Sequence, residues 1–238
     1  MKKSLLLAVV LFVGLFQSVL AYDPYYIYIQ KRNPRLKPGQ IAEIIAANRE
    51  FSKKYHQSMF WHMAKTGHES GYKPEIGTEF TIAGRRYNNE PCYGIECLQA
   101  DVVAGMYPKI PLSVIKWRLL HDFRFSIEAA YRLDMANQIK ATKWGFKSEY
   151  QNRVVTLITY NCGPGSWQKY HVGISKYLKS GKKLEDITLA ECSKLGMSFR
   201  EFYSLNYYSN IITQARILNY YLSIYPPTQV GTGHVQGR

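Results

Sequence analysis

Apolar side chains return every three or four positions through most of the chain beyond residue 40. Phe51, Tyr55, Met59 and Met63 form one such series. That spacing lines one face of a helix, whereas a half-buried strand would alternate at every second residue. Helices are expected from residue 41 through Met63, with Gly67 and Gly71 as the stop, and over 112–119, 127–141, 150–160, 167–178, 184–195 and 200–224. The fold class is therefore mainly α. Two stretches escape the pattern. Residues 22–40 are aromatic, basic and interrupted by Pro24, Pro34 and Pro38, which favours an extended lead-in. Residues 74–91 are rich in Gly, Asn, Thr and charge and read as a long loop, with a short hairpin around Gly84.

The first 21 residues stand apart. Lys2 and Lys3, an apolar run over 5–16 and the small-residue end Val19-Leu20-Ala21 have the make-up of a secretory signal. The chain thus divides into a signal over 1–21, a lead-in over 22–48, a helical domain over 49–225 and, after Pro226-Pro227, a disordered tail over 226–238. No second apolar stretch approaches the length of about 18 residues that a membrane span needs. The expected product is exported, to the periplasm or beyond, without stable membrane insertion, and a monomer. With the two leader lysines gone, the formal charge of +14 becomes +12, which concentrates such a protein near anionic polymers. Export favours cell wall over nucleic acid as that polymer, and the basic residues are scattered instead of lining one helix face.

Four cysteines, Cys92, Cys97, Cys162 and Cys192, fall in the mature part. An even number in an exported chain predicts two disulfides. Cys92 and Cys97 can close a small loop, and Cys92 with Cys162 is an open alternative. Without a C-x-x-C pair, a zinc site is not expected.

The chemistry-bearing residues cluster in two places. In Glu69-Ser70-Gly71-Tyr72-Lys73-Pro74 a carboxylate ends an amphipathic helix. A carboxyl packed among apolar groups keeps its proton toward neutral pH, which is what a general acid needs. The preceding His68 does not open a zincin motif, because the required second histidine position is Tyr72. His56, His62 and His68 are spread around the helix and read as ordinary, partly buried histidines. In Tyr160-Asn161-Cys162-Gly163-Pro164-Gly165 an apolar helix stops on a glycine turn, bringing a phenol and an amide to the rim of the domain.

In order along the chain, Glu69-Ser70-x-Tyr72-x-Pro74, Gln99, Tyr160-Asn161-x-Gly163-x-Gly165 and the late Tyr207-Tyr208-Ser209-Asn210 resemble the lytic transglycosylase family over about residues 55–225. The resemblance implies a lysozyme-like helical domain acting on peptidoglycan glycan strands, between N-acetylmuramic acid and N-acetylglucosamine, with no metal and no organic cofactor. It makes Glu69 the catalytic acid and then base, and Thr78, Gln99, Tyr160, Asn161 and Tyr207 substrate-binding residues. The sequence departs from the family where Glu96 replaces a glycine before Leu98-Gln99, where Thr78 stands in for the usual serine, and where Tyr203 replaces a glutamate. Tyr72, Tyr93 and Trp167 flank the motifs and are expected near the groove, since aromatic faces suit sugar rings.

Most glycosidases need two carboxyl groups. As the family works, one suffices: it protonates the leaving oxygen, and the C6 hydroxyl then closes on C1 as a 1,6-anhydro ring. Two other readings remain open. One is a lysozyme- or chitinase-like hydrolase drawing a second carboxylate from Glu75, Glu79, Glu90, Glu96 or Asp101. The other is a wall-binding or secretion-accessory protein without turnover.

Overall fold

The computed structural model describes residues 23–74, 76–77, 81–82, 85–86 and 91–225. The signal, the tail, Thr78, Glu75, Glu79 and Glu90 lie outside the described residues. The chain starts with three helices, α1 (Pro24–Arg32), α2 (Pro38–Lys54) and α3 (Met59–Glu69). Two-residue strands follow: β1 (Ile76–Gly77), β2 (Thr81–Ile82), β3 (Arg85–Arg86), β4 (Cys92–Tyr93) and β5 (Leu98–Gln99). The remainder is helical: α4 (Ala100–Met106), α5 (Leu112–His121), α6 (Phe123–Lys143), α7 (Glu149–Cys162), α8 (Pro164–Tyr170), α9 (Val172–Lys179), a 3-10 turn (Leu184–Asp186), α10 (Leu189–Lys194) and α11 (Phe199–Ile224).

The segment expected to be an extended lead-in is helical instead. Pro24 occupies the first turn of α1, where a missing N–H costs nothing, and Asp23 caps the helix by accepting from the Tyr25 amide at 2.9 Å. Pro38 opens α2 in the same way. The segment belongs to the core: Tyr28 and Ile29 are fully buried, and the Tyr28 hydroxyl reaches Gln214 of α11 at 3.2 Å. Gly67 lets that phenol approach α3, since a Cβ there would fall 2.0 Å from its oxygen. The helical stretch expected through Met63 is interrupted at His56, whose φ of 51° turns the chain between α2 and α3.

Two further expected helices are split: residues 167–178 break at His171 into α8 and α9, and residues 184–195 divide into the 3-10 turn and α10, while α4 is a helix that the periodicity does not indicate. Two strands of the expected hairpin pair, with Thr81 opposite Arg86 and Ile82 opposite Arg85, and Gly84 itself lies outside the described residues.

Around this frame α6 packs on α7 and α2, while α11 packs on α1, α3 and α7. Tyr28, Ile41, Phe51, Met63, Tyr72 and Tyr131 form one buried cluster, and Val154, Ile158, Trp167, Tyr207 and Ile211 belong to a second. α3 packs chiefly on α11. No helix among the described residues is long and apolar enough to cross a membrane.

Cys92 and Cys97 are joined, with Cα atoms 4.7 Å apart, and close the β4–β5 turn. The second disulfide does not form: Cys162 and Cys192 are free thiols. Cys162 ends α7 beside the cleft described below, whereas Cys192 is buried in α10 and lines a separate pocket.

Candidate active site

Ser58 caps the start of α3, and the helix ends at Ser70, after which Gly71 and Tyr72 both take positive φ. Tyr72 folds back beneath the helix, and its buried hydroxyl donates to the Met63 carbonyl at 2.9 Å. Arg32 donates to the Gly67 carbonyl at 2.7 Å, a cation where the helix dipole favours one. Glu69 is left in the last turn, facing a cleft of about 410 Å³.

Around this cleft the structure gathers Glu69 of α3, Gln99 of β5, Tyr160 and Asn161 at the end of α7, and Tyr207 of α11. Burial, the dominant influence, holds the Glu69 carboxyl up to about 7 from an ordinary 4.5, against the opposing pull of Tyr207 and Lys65. The C-terminal end of a helix acts in the same sense, because it disfavours an anion. The residue as a whole keeps partial exposure, so its carboxyl is sheltered yet reachable from the cleft. The Tyr207 hydroxyl donates to Glu69 Oε1. Burial raises that phenol well above its usual range, with the Glu69 charge acting in the same direction. His68 packs edge-on against Tyr207 at 5.0 Å, and burial lowers its imidazole below the ordinary range, helped by Arg32.

The other wall is built from the disulfide hairpin and the end of α7. Gln99 pairs with Cys92 across the hairpin and immediately precedes α4. Gly163, at φ 75°, ends α7 and donates to the Thr159 carbonyl at 2.9 Å. Asn161 bonds the side chain of Tyr203, a phenol pushed up to about 12 first by burial and then by the Glu69 charge. Tyr160 differs from expectation in how it is used. Its hydroxyl donates to the Glu96 carbonyl at 2.6 Å, so it meets the cleft as a fixed ring. The Cys162 thiol also lines the cleft, raised to about 12 by burial.

Of the aromatics expected near the groove, Tyr72, Tyr93 and Trp167 are instead buried in the core. Trp167 stacks with His171 at 5.1 Å. Among the candidate second carboxylates, Asp101 is exposed on α4 and does not line the cleft. Glu96 is fully buried, its two carboxylate oxygens each 2.9 Å from the Thr66 hydroxyl. Glu69 is the one carboxyl among the described residues that lines the cleft.

Beneath this surface lies a buried cluster of ionisable side chains that sequence reasoning did not bring together. Lys65 is fully buried, with Nζ 2.5 Å from Asp134 Oδ2 and 3.5 Å from the centre of the Tyr160 ring. His62, also buried, lies 3.1 Å from the same Asp134 oxygen and 3.4 Å from Glu96. Burial pushes the Asp134 carboxyl up, but Lys65 and His62 outweigh it and hold it low. Burial likewise lowers His62, and the charge of Glu96 with the Asp134 bond reverses this into a net rise. The signal available in sequence was one polar side of α3, where His62, Lys65, Thr66 and Glu69 fall together. Among the described residues no group of His, Cys, Asp or Glu is arranged to hold a metal ion. No protein-family model, curated protein or solved structure matches the chain.

Proposed function

We propose that the protein is a lysozyme-like lytic transglycosylase that cleaves peptidoglycan strands at the bond between N-acetylmuramic acid and N-acetylglucosamine. The observation that carries this reading is Glu69: one cleft-lining carboxyl, sheltered enough to stay protonated up to about pH 7 and gripped by Tyr207. The motif order along the chain and a net charge of +12 after loss of the leader, suited to an anionic wall, support it.

With Tyr207 donating to Oε1, the acidic proton rides on the other carboxyl oxygen and is free to point at the scissile glycosidic oxygen. Transfer of that proton lets the bond to C1 break, and the departing N-acetylglucosamine leaves as an alcohol. The oxocarbenium-like centre at C1 is steadied by the sugar's own acetamido oxygen, a substrate-assisted route. Glu69, now a carboxylate bonded by Tyr207, takes the proton of the C6 hydroxyl while that oxygen closes on C1. The carboxyl ends the cycle protonated, and no water is consumed. Gln99 and Asn161 offer amide groups, and Tyr160 a ring, to hold the strand against Glu69.

The test is the variant Glu69→Gln assayed on purified murein sacculi. Loss of turnover by orders of magnitude, with glycan still bound, is the expected result. Unchanged turnover would remove Glu69 from the chemistry, and a wild-type protein that binds glycan without turnover would favour the wall-binding reading.

A further inference from the structure

Four ionisable side chains meet in the interior next to Glu69, and none of them is among the residues lining the cleft: His62, Lys65, Glu96 and Asp134. Lys65 is one helical turn before Glu69 and on the same face of α3. A lysine buried to this degree persists only when its charge is met, and Asp134 meets it at 2.5 Å. What the ammonium does besides is rest on the face of the Tyr160 ring, 3.5 Å from its centre, where a desolvated cation is strongly attracted.

Tyr160 is therefore fixed at both ends, its ring by Lys65 and its hydroxyl by the Glu96 carbonyl at 2.6 Å. Glu96 lies within the Cys92–Cys97 turn and returns to α3 through Thr66 and His62. The hairpin that carries Gln99 is thus clamped to the helix that carries Glu69, with the Tyr160 ring between them.

We propose that Lys65 is a positioning residue: anchored on Asp134, its ammonium holds the Tyr160 ring and so sets the spacing of Glu69 from the hairpin that bears Gln99. This rests on the reading of Glu69 as the acid that cleaves glycan.

Lys65→Met alone would strand Asp134, so the variant to make is Lys65→Met with Asp134→Asn, which removes both charges together. With folding verified by circular dichroism, kcat should fall about a hundredfold, the cost of a slightly misplaced wall. KM should change by less than about threefold. The groups facing Glu69 are Tyr207, Tyr160, Tyr203, Lys65, Glu96 and Asp134, and of the two removed Lys65, which lowers its carboxyl, acts more strongly than Asp134, which raises it. The alkaline limb of the pH–rate profile should therefore move up, not down. A folded double variant with wild-type kcat overturns the proposal.

A second measurement needs neither the variant to fold nor the enzyme to turn over. In wild-type protein carrying 13C-labelled tyrosine, with Tyr160 assigned through Tyr160→Phe, a clamped ring flips slowly and its two edges give separate signals. One averaged set means a ring that turns freely, and refutes the clamp. Separate signals in a protein that fails to cleave murein would leave the clamp standing and sink the reading of Glu69 instead.

Discussion

Glu69→Gln is expected to make the protein more stable while abolishing its reaction, and the gain should depend on pH. An ordinary glutamate releases its proton near 4.5, whereas burial holds the Glu69 carboxyl up to about 7. Below 4.5 the group is protonated in both folded and unfolded chains, and the stability it contributes is fully present. Between the two values the unfolded chain releases a proton that the folded chain keeps, so stability is lost as pH rises and levels off above about 7. A gap of about 2.5 pH units is worth about 3 kcal/mol. Glutamine has no proton to lose, and its carbonyl can still accept the Tyr207 hydroxyl. Urea unfolding of the two proteins near pH 4 and near pH 8 should show the variant gaining about 3 kcal/mol on wild type across that interval. A difference that does not change with pH, or one that turns against the variant as pH rises, would mean that the carboxyl is not sheltered.

Tyr207→Phe removes the bond that favours the Glu69 carboxylate, so the carboxyl should titrate still higher. The alkaline limb of the pH–rate profile should move up while kcat falls, and a limb that stays or moves down contradicts the assignment. Alkylation of the denatured, unreduced protein should label two thiols per chain, Cys162 and Cys192, and four after reduction. Mass spectrometry that finds none before reduction would restore the second bridge.

Much of the helical frame was legible because apolar periodicity is a local signal, as in α6, α7 and α11. It misled where a single residue overrides the pattern. His56 breaks a four-residue apolar series without any glycine or proline to announce it. The prolines at 24 and 38 were read as breakers although each begins a helix, a distinction that depends on Asp23 as a cap and on where the chain then packs. The five predicted site residues within the described part, Glu69, Gln99, Tyr160, Asn161 and Tyr207, line one cleft, and Thr78 falls outside the described residues. Motif order pointed to them. It could not point to Lys65 and Asp134, or show that Glu96 is buried with them, because that burial makes sense only once partners from α3, the disulfide turn and α6 are brought together. Nor could it tell that Cys192, on a helix the periodicity does indicate, is buried.

The most direct measurement is the mass of the fragments that the wild-type protein releases from purified murein. A single acid that reclaims its proton from the C6 hydroxyl predicts anhydro-ended muropeptides, one water lighter than their reducing counterparts. Fragments with reducing ends alone would contradict it and require a second group that delivers water to C1.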